Sequence, residues 1–485
     1  MSFEEIFYPW EAEFDLFKVC NISGFEFYPY IRRDFVNNLL STLSGEDRDY
    51  FRETGEADNK LQLFLKLWKK TEKTALKDVD MLILNHPRRV KEGDVYVCPY
   101  TDFLTDRFPN SVSLERLYVD HKHFEPAYTK NLVYIDRIVA KSYVYRLLYK
   151  KFRPKAYAQI TGKARHILEK PLEELEKRLE ISINKRALYE RITVLCCFYR
   201  YRQKHYKRFL TELRPKMLVE VVGKSFEAKL FNELCKELDI PTVEIQHSIL
   251  TENSKYPDGV RERQYADFCL TFSEYWKDFA RPPISKNERF FVAGQYNFEK
   301  KLRQYGKTEG AADKGKKTVV FISGLVYGRD LSLLAIDFAR KIAKMSNDCM
   351  EAVFKLHPIE YSSWREMYPE LAASGLTVLD TNEKNIYELF AESYAQVGVK
   401  STALYEGIGF GLQTYILRHP LATDIMGVYE KGFAHVVDNA DELYSYIDSG
   451  NAIDVRAAAK YFWEPDAEEN TVRILKRILN REISK

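Results

Sequence analysis

Several signatures that would place a chain quickly are missing here. Cysteine is scarce: there are seven in 485 residues, and the adjacent pair Cys196-Cys197 and its fellows make neither metal-ligand spacing nor a disulfide framework. They are expected to be small buried hydrophobes in a reducing compartment. Charge of one sign is missing too. Lys+Arg total 74 against 71 Asp+Glu, a net charge of +3, so there is no overall basicity for a nucleic-acid partner. No uncharged apolar run approaches the roughly 20 residues of a membrane span. The opening stretch "MSFEEIFYPWEAEFDLF" is acidic and lacks a basic region ahead of an apolar one, so no signal peptide is expected and a cytoplasmic location is. There is no P-loop, no Gly-x-Ser-x-Gly elbow and no Gly-x-Gly-x-x-Gly directly after the first strand. "DVD" at Asp78–Asp80 opens a strand and is not read as a metal site.

What the chain does have is aromatic material, 33 Tyr and 30 Phe within a hydrophobic fraction of 45%, enough for more than one core. Residues 1–75 look helical and amphipathic, with the charged break "SGEDRDYFRETGEADNK" inside. Residues 76–302 form a first α/β domain. "VDMLILN", "VYVCPY", "VSLERLYV" and "NLVYID" read as strands, a helical insertion covers about 137–213, and "KMLVEVVG", "SFEAKLFNELCKELD" and "IPTVEIQ" make a βαβ unit. "DFCLTFS" and "RFFVAGQ" add two short strands. The polar stretch "RQYGKTEGAADKGKK", 303–317, reads as a linker. A second strand–helix alternation fills 318–466, and 467–485 is a last helix. The expectation is an α/β protein with two doubly wound, Rossmann-like domains facing across a cleft, with N-terminal helical additions. In such sheets ligands sit beyond the carboxyl ends of the strands.

Two stretches of the second domain carry the chemistry. "EAVFKLHPIEY" ends a strand in Lys355 and His357, with Pro358 stopping the ladder and aiming the histidine above the sheet. A packed strand-end histidine would read the same way in isolation. About forty residues on, "VGVKSTALYEGIGFGLQT" ends another strand at Lys400-Ser401-Thr402. Ser401 is a natural N-cap, and a helix N-terminus with hydroxyls receives anions. Glu406, one turn in, is placed to accept ribose hydroxyls. Gly407, Gly409 and Gly411 would allow close backbone approach. Two strand-end anion sites in one half-domain outweigh an ordinary capped helix.

The first domain offers Gln246-His247 at a strand end, and Arg88-Arg89 in "LILNHPRRV", suited to an anionic acceptor or lipid phosphate. Asp102 and Asp106 in "CPYTDFLTDRF" are candidate general bases for a sugar hydroxyl. His121 and His123 in "VDHKHFEP" have no evident third partner, so no metal is expected. "KSYVYRLLYKKFRPK" and "CCFYRYRQKHYKRFLTELRPK" are basic aromatic helices, either solvated faces or surfaces for anionic lipid.

The combination "IQHSIL", "FKLHP" and "GVKSTALYEGIGFGL" resembles bacterial surface-polysaccharide glycosyltransferases of the GT-B type, in particular capsule and lipo-oligosaccharide sialyltransferases and Kdo transferases. The resemblance covers roughly 216–438. It implies a metal-independent transferase with no cofactor, a nucleotide sugar as donor (a CMP-sugar favoured), and a glycan or lipid-linked acceptor, working at the inner face of the cytoplasmic membrane. It also implies phosphate contacts for His357, Ser401 and Thr402. His247-Ser248 departs from the His-Gly common in that family, and the general base is not aligned. Alternatives on the same architecture are a CDP-glycerol or CDP-ribitol phosphotransferase, a nucleotide-sugar 2-epimerase, and an inactive binding or scaffold protein.

Overall fold

The short apolar runs condense into two parallel sheets, each with its strands buried on both faces, which is why they read as near-continuous hydrophobic stretches. The structure is a computed structural model that describes residues 3–43, 45, 51, 74–86, 88–116, 123–250, 262–279, 289–306, 316–324 and 326–483. The first sheet holds β1 (Met81–Leu84), β2 (Ser111–Glu115), β3 (Leu132–Tyr134), β4 (Leu218–Glu220), β5 (Thr242–Ile245), β6 (Phe268–Thr271) and β7 (Phe290–Val292), in the order β7-β6-β5-β4-β1-β2-β3. The second holds β8 (Lys317–Ile322), β9 (Met350–Lys355), β10 (Thr377–Leu379), β11 (Ala395–Gly398), β12 (Gln413–Leu417) and β13 (His435–Val437), in the order β10-β9-β8-β11-β12-β13. Every pairing within both sheets is parallel. Each sheet winds outward in two directions from a central switch, between β1 and β4 in the first and between β8 and β11 in the second. A crevice opens at such a point because the connections on either side leave in opposite directions. This is a two-domain α/β architecture of doubly wound parallel sheets.

Helical additions cover one face of the first sheet. They are α1 (Phe3–Glu13), α2 (Tyr28–Leu43), α3 (Asp136–Phe152), α4 (Pro154–Leu179), α5 (Lys185–Leu213) and α6 (Phe226–Glu237). The polar groups they bury are matched. Glu11 takes Nε and Nη2 of Arg32 at 2.5 and 3.0 Å and the Tyr28 hydroxyl at 2.7 Å, while Trp10 donates to the Pro171 carbonyl at 2.8 Å. A carboxylate taken this far from water is tolerable only when so satisfied.

The domains exchange elements. Phe272, Trp276 and Phe298, the last on α7 (Tyr296–Tyr305), pack in the core of the second sheet. Val472, Leu475 and Ile478 of a C-terminal helix, which follows α8 (Thr402–Gly409) and is labelled α9 (Ala467–Leu479), pack under Met81, Ile83 and Val219 of the first. The return is bolted by the Trp276 indole on the Phe462 carbonyl at 3.0 Å and by Arg107 on Glu468 at 2.7 Å.

"VYVCPY" does not join the large sheet as expected. Val95–Val97 pairs antiparallel with Val90–Glu92 across a turn at Gly93, and the chain then enters the helix Asp102–Arg107. Most of "SGEDRDYFRETGEADNK", His121 and most of the 303–317 stretch lie outside the described residues.

Candidate functional site

The second domain presents its crevice from β8, β9 and β11. Where β9 ends, the backbone N–H of His357 donates to Glu360 Oε2 at 2.7 Å, and the Ile359 N–H donates to His357 Nδ1 at 3.3 Å. Pro358 opens the short 3-10 turn that makes both bonds. Glu360 is fully buried, and its other oxygen accepts Ser323 Oγ at 3.0 Å and the Tyr368 hydroxyl at 2.5 Å. This carboxylate therefore ties the ends of β8 and β9 together and fixes the histidine turn. Because Nδ1 accepts, a neutral His357 carries its proton on Nε2, and the ring is exposed.

At β11 the chain turns at Lys400, whose carbonyl accepts the Tyr327 hydroxyl, and Ser401 Oγ caps α8 by accepting the Ala403 N–H at 3.1 Å. Thr402 begins the helix, half-buried. Glu406 follows one turn later and accepts the Tyr387 hydroxyl at 3.2 Å. Burial pushes its carboxyl up to about 7, against the opposing pull of that hydroxyl. Two of the three glycines expected to admit a ligand are committed to packing instead. A Cβ at Gly407 would lie 2.1 Å from the Gln396 amide, and one at Gly409 would lie 2.2 Å from the Phe298 ring.

The first domain faces this crevice with three rings. His86, after β1, and His247, after β5, have centroids 5.7 Å apart, and Tyr100 lies 5.5 Å from the first and 6.0 Å from the second. Burial, more than the neighbouring cations and the second ring, pushes both imidazoles down to about 4, so both are neutral at pH 7. The Val221 backbone beside the His247 ring works the other way, favouring the protonated form. The two domains meet here. The Glu406 carboxylate, after burial, is what pushes the Tyr100 hydroxyl up to about 12. Tyr387 responds to Tyr100 and Arg88 as well as to Glu406, and Ile249 and Leu250, just past His247, pack on the second core.

Four expected site residues are placed elsewhere. Asp102 is fully buried, and its carboxylate accepts Arg89 Nη1 at 2.7 Å, the Cys98 N–H at 2.8 Å and the Thr129 hydroxyl at 2.5 Å. Fully buried and held by three protein donors, it is a fold-bearing carboxylate and not a base for substrate. Arg89 is likewise spent, on Asp102, on Glu115 at 2.8 Å and on the Tyr96 carbonyl at 2.9 Å. Lys355 gives its ammonium to the Thr381 carbonyl at 2.7 Å and the Tyr361 hydroxyl at 2.8 Å, bracing β9 against the loop after β10 rather than facing a phosphate. Gln246 uses its whole amide on Ser248 and Phe272, which holds the turn that displays His247. Asp106 is exposed and takes the Tyr128 hydroxyl at 2.7 Å, and Arg88 is exposed beside the ring cluster. His123 Nε2 donates to the Asp136 carboxylate at 2.6 Å, and among the described residues no group of three His, Cys, Asp or Glu is arranged to hold a metal.

His86, Tyr100, Tyr387 and Glu360 are the members that sequence reasoning did not select. A signal for His86 was present: "NHP" after β1 repeats the His-Pro exit of "LHP" after β9. The tyrosines had none, since Tyr100 comes from a turn of the first domain and Tyr387 from the helix Ile386–Glu392 of the second.

No family model matches the chain, and no curated protein matches it. Solved structures are similar at the level of chain trace. A Staphylococcus aureus MnaA–UDP complex aligns at 15% identity over 64% of this chain and 87% of that one, TM-score 0.43. UDP-GlcNAc 2-epimerase from Methanocaldococcus jannaschii aligns at 12% identity over 58% and 82%, TM-score 0.42. The wall teichoic acid polymerase TagF aligns at 10% identity over 94% and 98%, TM-score 0.45.

Proposed function

We propose that the protein is a glycosyltransferase that moves a sugar from a nucleotide-activated donor to a surface glycan or glycolipid acceptor. The observation that carries this is the pairing of two unlike edges across one crevice. On one side are a His357 Nε2–H donor, a capped helix start at Ser401-Thr402 and a half-buried Glu406. On the other are two neutral imidazoles. The donor nucleotide lies on the second domain with its phosphate between His357 and the start of α8, where N–H groups meet developing negative charge. His247 takes the proton of the acceptor hydroxyl as that oxygen bonds the anomeric carbon. The bond from the anomeric carbon to the phosphate oxygen breaks, and its electron pair leaves with the phosphate. A neutral imidazole can accept that proton, which a histidine already charged could not.

The preference for CMP as the leaving nucleotide rests on the resemblance of "FKLHP" and "KSTALYEG" to CMP-sugar enzymes. Calorimetry with CMP, CDP, UDP and GDP tests it. CMP is expected to bind about tenfold tighter than the uridine and guanosine nucleotides. A CDP preference points to glycerol or ribitol phosphate transfer, a UDP preference to the epimerase, and binding without turnover to an inactive relative. Binding of none of the four overturns the proposal. The same titrations examine Glu406. Ribose hydroxyls donate to its ionised form, so affinity is expected to rise as pH rises through about 7, with a proton released on binding. Glu406→Gln should flatten that rise, and an equal pH profile in the variant excludes the ribose contact.

A lipid-linked acceptor calls for contact with the cytoplasmic membrane face, and α3 has a suitable outer side. Leu147, Leu148 and Phe152 are 57%, 49% and 70% exposed, and Lys151 lies among them. Apolar side chains that enter the interface beside cations that stay at headgroup level favour anionic bilayers. Co-sedimentation with phosphatidylglycerol vesicles should exceed that with phosphatidylcholine, and Leu148→Ser with Phe152→Ser should abolish it. Equal sedimentation of that variant would remove α3 from the contact. Among the described residues no helix is long and apolar enough to cross a membrane.

A further inference from the structure

The loop after β4 opens at the switch point of the first sheet. Here β4 and β1 lie side by side, flanked by β5 and β2. All four strands run the same way, so their carboxyl ends deliver His247, Lys224, His86 with Arg88, and Arg116 to one edge, in that order across the sheet. Gly223 is what lets the loop lie so close to β5, since a Cβ there would meet the Glu244 carboxyl at 2.7 Å. A fourth cation comes from α2. Its first turn is held against the start of α6 by the Tyr30 and Phe226 rings, with centroids 5.0 Å apart, and by Lys229, whose ammonium bonds the Pro29 carbonyl at 2.5 Å. Arg33, one turn beyond Tyr30, is exposed, and its charge acts on Lys224 of that loop.

Asp34, next to Arg33 on α2, is paired with Arg191 at 3.4 Å. Arg116 is paired with Glu227 at 3.0 Å. Glu244 faces Lys224 from below, and burial holds it toward its neutral form. Glu406 stands across the crevice. Lys224 and Arg33 both act on His247, and Arg88 and Arg116 both act on His86, each lowering the imidazole by its positive charge. The ring pair therefore sits in a positive field that the protein leaves open toward the crevice.

Resting on the transferase reading above, we infer that the acceptor carries an anionic group, a phosphate or carboxylate, close to its reacting hydroxyl, and that Lys224 and Arg33, with Arg88, hold it over the switch point beside His247. Lys224 and Arg33 are thus specificity residues for the acceptor. Placing the anion there also sets the attacking hydroxyl against the neutral His247 imidazole.

The test uses the full-length protein saturated with CMP, so that the second-domain phosphate site is filled, with inorganic phosphate as the calorimetric probe. Wild type should still bind phosphate. Lys224→Gln and Arg33→Gln should each weaken it about tenfold, as expected for loss of one charge-assisted contact. Lys224→Arg should restore it, and CMP affinity should be the same in all. Absence of phosphate binding, or affinity untouched by both Gln variants while CMP binds normally, overturns the inference and leaves the transferase reading intact. If CMP fails to bind but phosphate binding still depends on Lys224, the anion site stands and the donor assignment falls. Competition separates the two sources of such an anion. Displacement of phosphate by glucose 1-phosphate indicates a soluble phosphorylated glycan, and displacement by phosphatidylglycerol vesicles a lipid-linked one. Displacement by neither counts against the site.

Discussion

Asp102→Ala is expected to destabilise the first domain by about 3–5 kcal/mol, the cost of leaving a buried guanidinium without its partner. The carboxylate is fully buried, and three donors converge on it: Arg89, the Cys98 N–H and Thr129. Arg89 is itself only 1% exposed at its side chain. Truncation removes one charge of an ion pair, strands the other in low dielectric, and orphans a backbone donor in the turn that leads into Tyr100. Glu115 stays on the far side of Arg89 at 2.6 Å, which keeps the loss from being larger. Urea denaturation followed by near-UV circular dichroism measures the effect. Asp106→Ala is the natural control, because that residue is exposed and bonds only a surface tyrosine. If the two variants have the same midpoint, the cluster contributes nothing and Asp102 returns to consideration as a base.

His357→Ala should lower kcat by about a hundredfold to a thousandfold, the range for loss of one preorganised donor to a developing anion. KM for the donor should change far less, because the contact strengthens as charge accumulates on the leaving phosphate. The histidine is exposed, and the only described bond of its side chain is to the Ile359 N–H, so the melting temperature should move little. Lys355→Met should show the opposite pattern, with stability lost and the chemical step largely retained, since its ammonium braces Thr381 and Tyr361 within the protein. Turnover near wild type in His357→Ala would remove the histidine from the leaving-group site. An equal loss of kcat in both variants would indicate that strand position, and not the Nε2–H donor, controls the rate.

These contrasts mark where sequence reasoning reached. The sheets were legible because parallel strands buried on both faces leave unbroken apolar runs such as "MLIL" and "TVVFI", and because turn residues punctuate them. Ser401 was legible because N-capping is local, decided by a hydroxyl and an N–H two residues away. Pro358 and His357 were legible for the same reason, although the capping carboxylate Glu360 was passed over. Lys355, Arg89, Asp102 and Gln246 were misjudged together, and for one reason. Each has a side chain whose chemistry suits a ligand equally well as it suits a protein partner, and at least one partner of each came from a segment ten or more residues away.

Local sequence, then, determined which segments form strands and helices, where the chain turns at each carboxyl edge, and which short-range caps hold those turns. It could do so because each of these depends on residues within a few positions of one another. Only tertiary structure decided which polar side chains remain available. Burying Asp102 against Arg89 removed two candidates, while the approach of the two sheets set His86, His247 and Tyr100 opposite Glu406. Desolvation and the field of distant charges depend on the three-dimensional surroundings of a group and not on its neighbours along the chain. That is why two histidines held neutral, a carboxyl raised to about 7 and a row of cations at the β1–β4 switch emerge only when the strands are brought side by side.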